Sequence, residues 1–124
     1  MIFHASELVA PLGYEVVQAE LRDCLHLKTG ATFAGFDSAG TPVLLYDERS
    51  IDPAQFRDVE PLRVEEPAAA NCVRAGGRVI LAAGNPRTTE QLSRRGFDVV
   101  EVDVSELQKA EAGGTCMSLI DERP

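Results

Sequence analysis

Twice along this sequence, two short apolar runs joined by a turn lead into a polar capping residue followed by proline. The first copy runs Ala31 to Phe36, the turn Asp37-Ser38-Ala39-Gly40, Pro42 to Tyr46, and then Asp52-Pro53. The second runs Cys72 to Arg74, the turn Gly76-Gly77, Val79 to Ala83, and then Asn85-Pro86. A cap before proline opens a helix, because the N–H that proline lacks has no intrahelical partner at that position. The first such helix is predicted over Asp52 to Phe56, the second to about Arg95, where Gly96 stops it. Another apolar run follows each, Val59 to Val64 and Phe97 to Val102. The order strand, strand, helix, strand is thus given twice, over residues 25–64 and 72–102. That order predicts an α/β chain of two ββαβ modules, an internal repeat with little residue identity between its copies.

The flanks are less regular. Residues 5–13 predict a short helix capped by Ser6 and stopped by Gly13, and Pro11 keeps it short. Tyr14 to Leu21 and Cys24 to Leu27 read as strand, and Glu65 to Ala70 as loop. Ser105 with Gln108 resembles a capping box opening a helix through Lys109, and Thr115 to Ile120 reads as the last strand. The expected organisation is a single domain over residues 1–124.

Twelve Lys and Arg against 20 Asp and Glu give a net charge of −8. That balance repels phosphate backbones, so no nucleic-acid partner is expected, while a cationic small molecule is compatible with it. Cys24, Cys72 and Cys116 are an odd set without a C-x-x-C, and the histidines are His4 and His26. Neither a disulfide framework nor a metal site is predicted, and the reducing cytoplasm is the expected compartment. The opening MIFHASELVAP lacks a signal-peptide pattern, and no run reaches the ~18 to 20 apolar residues of a membrane helix.

Gly113-Gly114-Thr115-Cys116 sets a thiol after two residues that allow a tight turn and close ligand approach, although a cysteine opening a strand also suits a core. His26 sits between Leu25 and Leu27, which on a strand would face away from the imidazole. A hydrogen-bonded structural histidine fits the same pattern. Cys24 shares that strand face, but neighbours two apart diverge, and Cys72 reads as core.

Three segments together resemble one family: Cys24-Leu25-His26-Leu27-Lys28, Ala70-Asn71-Cys72-Val73, and Val104-Ser105-Glu106-Leu107 running through Lys109 to Gly113-Gly114-Thr115-Cys116. In order and spacing they are similar to the dimethylarginine dimethylaminohydrolases, and more distantly to arginine deiminases, both of the amidinotransferase-like (pentein) superfamily. Gly84-Asn85-Pro86-Arg87-Thr88 fits a loop before a helix in that family, and the resemblance runs from about Pro11 to Ile120.

The resemblance implies a partial α/β-propeller of about two ββαβ modules plus the terminal nucleophile strand. It implies Cys116 as nucleophile, His26 as general acid/base, and Ala110 as a substrate contact through its backbone carbonyl. The expected reaction is hydrolysis of N-omega-methylated arginine to citrulline and methylamines through a covalent thiouronium on cysteine, without metal or cofactor. Family members are about twice this length, and the absent amino-terminal half supplies the carboxylates that grip the guanidinium. The expectation is therefore a chain incomplete by itself, with a complementing amino-terminal half or a homo-oligomer as partner. A truncated, non-catalytic interaction module and an arginine deiminase-like hydrolase are the alternatives.

Overall fold

A computed structural model describes residues 7–24 and 26–109 as two small mixed sheets with a few short helices. The first sheet holds β1 (Ala31–Phe36), β2 (Pro42–Tyr46) and β3 (Glu60–Arg63) in that order. β1 and β2 form an antiparallel hairpin, and β3 returns parallel to β2 with Leu45 opposite Leu62. The second sheet repeats the plan with β4 (Val73–Ala75), β5 (Arg78–Ala82) and β6 (Asp98–Val102), in which β6 runs parallel to β5. The repeated ββαβ order read from the sequence is present, with one difference. In the first copy the crossover is a single 3-10 turn, Pro53–Gln55, although Asp52 caps it as expected, its Oδ1 accepting from the Ala54 N–H at 3.0 Å.

Both modules contribute to one core. Ala34, Val43, Leu45 and Val64 of the first pack with Cys72, Val79, Leu81 and Leu92 of the second, and with Ala69 and Ala70 of the segment between them. β2 is the middle strand and is covered on both faces, so Leu44 turns the other way, into a smaller cluster with Ala31 and Ile51. Its run Val43-Leu44-Leu45 is apolar without alternation for that reason.

The second crossover is a helix, Pro86–Arg94, but Asn85 does not cap it. Asn85 turns back and donates through Nδ2 to the Ala82 carbonyl at 2.8 Å. The cap comes from Glu66, whose Oε1 accepts from the Thr88 N–H at 2.9 Å and from Thr88 Oγ1 at 3.0 Å, and whose Oε2 accepts from the Arg87 N–H at 3.3 Å. A carboxylate is well suited there, because the free N–H groups of a helix start carry partial positive charge. The helix ends at Gly96, whose φ of +88° suits glycine. A Cβ at that position would stand 2.6 Å from Ser38 Cβ, so the hairpin turn of the first module fits against the helix end only because Gly96 has none.

Several flanking expectations are corrected. Residues 14–21 form no strand, since they lie along the second cluster without a partner strand, and Ala19 and Leu21 pack into it. Cys24 and Leu27 do not continue a strand either: Leu27–Gly30 is one helical turn, here α1, which makes Pro86–Arg94 α2. Before them, residues 7–9 are helical and lead into a 3-10 turn, Ala10–Leu12, closed by Gly13. Pro67–Ala70, expected as loop, is also a 3-10 turn. Finally α3, Ser105–Gln108, is started by Asp103, whose Oδ1 accepts from the Ser105 N–H at 3.0 Å. The strand expected over Thr115 to Ile120 lies outside the described residues. Among the described residues no helix is long and apolar enough to cross a membrane.

Candidate functional site

Of the residues singled out for chemistry, His26 is described, whereas Cys116 and Ala110 lie outside the described residues. His26 occupies the position before α1, with extended φ and ψ of −126° and 143°. Its carbonyl accepts from the Thr29 N–H at 3.0 Å, closing that single turn, and its side chain is exposed. The sequence places this imidazole on a strand face opposite Leu25 and Leu27; it stands instead, exposed, at the entry to a helical turn.

The two described cysteines differ from a nucleophile's setting. Cys72 is buried, its Sγ 3.1 Å from Thr32 Oγ1, and burial pushes its thiol up from the ordinary value despite that hydrogen bond. Thr32 Oγ1 also accepts from the Cys72 N–H at 3.0 Å and donates to the Ala70 carbonyl at 2.5 Å, a network that ties β1 to the start of the second module. Cys72 is core, as its sequence setting suggests. Cys24 is half-buried, its Sγ 3.4 Å from where a Cβ on Gly30 would sit, so it packs under α1.

Carboxylates near the motif segments have local partners. Asp103 is held below the usual carboxylate range by the Ser105 backbone N–H, and Glu106 pairs with Lys109 at 2.9 Å. A groove of about 420 Å³ beside the seam between the modules is lined by Arg49, Arg63 and Arg87, each paired with an acid: Asp47 at 3.4 Å, Glu48 at 3.1 Å, and Glu65. Such mutual pairing leaves little net field for a charged ligand. Among the described residues no group of three His, Cys, Asp or Glu side chains could hold a metal ion.

No family model matches the chain. It is 40% identical over 101 residues to an N(G),N(G)-dimethylarginine dimethylaminohydrolase of Pseudomonas aeruginosa, across 80% of this chain and 38% of the relative. The corresponding protein of Streptomyces coelicolor is 36% identical over 110 residues, across 88% of this chain and 40% of the relative. Among solved structures, a cysteine-to-serine variant of the Pseudomonas aeruginosa protein, complexed with citrulline, superposes with a TM-score of 0.82 at 33% identity. The superposition covers 95% of this chain and 45% of that one. The chain is a dimethylarginine dimethylaminohydrolase-like protein. It spans about 40% of the length of the curated relatives it matches. A histidine-to-glycine variant of a dimethylarginine dimethylaminohydrolase, solved as an adduct with S-methyl-L-thiocitrulline, superposes at a TM-score of 0.74 over 93% of this chain.

Proposed function

We propose that this chain is the carboxyl-terminal part of a hydrolase acting on N-omega-methylated arginine, with Cys116 as nucleophile, His26 as general acid/base and Ala110 contacting substrate through its backbone carbonyl. The observation that carries the reading is the superposition of 95% of the chain, at a TM-score of 0.82, on a relative complexed with citrulline, the product of such a reaction. Two further observations support the roles. The burial of Cys72 and the packing of Cys24 fit the assignment of the nucleophile to the third cysteine, and a histidine and a cysteine are the residue types replaced in the two ligand-bearing relatives.

The chemistry suits these groups. A guanidinium carbon is a poor electrophile, so a soft nucleophile is needed, and a free thiol of pKa about 8.5 is drawn toward thiolate by a neighbouring cation. The Cys116 sulfur attacks the guanidinium carbon and forms a C–S bond. Protonated His26 gives its proton to the substituted nitrogen, the C–N bond breaks, and dimethylamine or methylamine leaves. A cationic thiouronium remains on sulfur. Neutral His26 then takes one proton from water as its oxygen attacks the same carbon; the C–S bond breaks with thiolate restored, the remaining hydroxyl proton passes to solvent, where the released amine takes it up, and citrulline departs. Thiolate and imidazole supply every step, so neither metal nor organic cofactor is required.

In this reading residues 1–124 form one domain of a cytoplasmic protein, a partial propeller of two modules plus the nucleophile strand. Carboxylates for the guanidinium come from a complementing amino-terminal half or a second copy. A non-catalytic interaction module is the second reading.

The two readings separate in an adduct experiment. S-methyl-L-thiocitrulline releases methanethiol, a leaving group that needs little help from an acid, whereas hydrolysis of the adduct needs the base. The His26→Gly chain, mixed with the remaining part of the Pseudomonas aeruginosa relative, is expected to accumulate a covalent adduct on the Cys116 peptide. Failure of that mixture to form the adduct, with both parts folded, favours the non-catalytic module.

A further inference from the structure

His26 is exposed, yet the chain on either side of it is fastened to a single loop, residues 47–55. On the approach, the Arg22 N–H donates to the Ser50 carbonyl at 2.8 Å, and Arg22 Nη2 donates to the Glu48 carbonyl at 3.2 Å. Two residues earlier, the side-chain amide of Gln55 takes the place of a neighbouring strand. Its Oε1 accepts from the Glu20 N–H at 2.6 Å and its Nε2 donates to the Glu20 carbonyl at 3.3 Å. Ala19 and Leu21, on alternate sides of this clamp, pack into the smaller core cluster.

On the far side, the Asp47 N–H donates to the carbonyl of Gly30, four residues after His26, at 2.9 Å. Gly30 is buried, and a Cβ there would stand 2.8 Å from Ser50 Cβ, so α1 is seated directly on the loop. The loop is itself firm. The Ser50 and Ile51 N–H groups both donate to the Asp47 carbonyl, at 3.0 and 3.1 Å, and Ile51 is buried in the smaller cluster.

We propose that this loop, with Gln55 as its replaceable contact, is a positioning element for His26. The inference rests on the reading of His26 as general acid/base. An exposed imidazole without a fixed backbone would lose the alignment that proton transfer needs. Gln55 acts on the histidine only through the Glu20 to Arg22 segment and is not itself a catalytic residue.

Amide hydrogen exchange on the intact chain tests the clamp. Replacement Gln55→Ala removes both hydrogen bonds to Glu20 and is expected to speed exchange at Arg22 and Thr29 by about tenfold, which corresponds to roughly 1.4 kcal/mol, without change at the core amides of β2. Gln55→Glu keeps the acceptor for Glu20 and is expected to give a smaller rise. Unchanged exchange at both sites, or an equal rise in β2, overturns the proposal. The pH profile of Cys116 carboxymethylation supplies the functional readout, with His26→Ala as reference. The Gln55→Ala profile is expected to move toward that reference, and a wild-type profile in Gln55→Ala beside an altered one in His26→Ala also overturns the proposal. If His26→Ala leaves the profile unchanged, the proposed catalytic pairing fails, and exchange alone decides the clamp.

Discussion

Arg95 Nη2 donates to Asp37 Oδ2 over 2.9 Å, joining the end of the second module's helix to the hairpin turn of the first. The same guanidinium reaches Glu60 at the start of β3, with contacts of 2.8 and 3.0 Å. Asp37 is held below the usual carboxylate range first by the Thr41 backbone N–H, with Arg95 adding to it, and Glu60 is held down mainly by Arg95. Both folded-state values are depressed, so the unfolded chain binds more protons in acid. The stability they supply is present above the ordinary carboxylate range, about pH 4 to 5, and is lost as pH falls through the folded values. Replacement Arg95→Met is expected to lower Tm by several degrees at pH 7 and to flatten the fall of Tm below about pH 4, as followed by circular dichroism.

The Glu66 cap predicts an ordering that the local sequence does not. Loss of the carboxylate in Glu66→Ala should destabilise by about 1–2 kcal/mol, the range for a lost helix cap. Glu66→Gln, which keeps an acceptor for Thr88, should recover most of it. Urea unfolding of these two variants beside Asn85→Ser supplies the check, since a hydroxyl cap at position 85 should not rescue Glu66→Ala if Glu66 holds the helix start.

Buried Thr32 makes a sharper case. Replacement Thr32→Val preserves shape but leaves the Cys72 N–H and the Ala70 carbonyl without their hydroxyl partner. A loss of about 2–4 kcal/mol is expected, against a smaller loss for Thr32→Ser, which keeps the hydroxyl. Denaturant midpoints at unchanged m-value measure both. In the wild type, Cys72 should resist alkylation at neutral pH until the chain unfolds, because its thiol is buried and pushed up.

These sites mark how far the sequence is legible. Hairpins at 31–46 and 73–82 are readable because their apolar runs are bounded by Asp37-Ser38-Ala39-Gly40 and Gly76-Gly77, turn signals that act locally. Asp52-Pro53 is readable for the same reason, since the cap lies two residues from its donor. Asn85-Pro86 carries the same local signal, yet Glu66 reaches the helix start from about twenty residues away, and only the packing of the modules brings it there. The setting of His26 is misread as strand because Leu25-His26-Leu27 alternates like one. What turns the chain at Leu27–Gly30 is Gly30 seated against Ser50, a contact between positions that no short window relates.

The central claim is that Cys116 and His26 form the reacting part of a methylarginine hydrolase. Its most direct measure is citrulline release from asymmetric dimethylarginine by the purified chain, mixed with the remaining part of the Pseudomonas aeruginosa relative, beside Cys116→Ser in the same mixture. Citrulline is expected from the wild-type mixture and none above background from Cys116→Ser. Equal release by both mixtures, or no release from folded and associated parts, would contradict it.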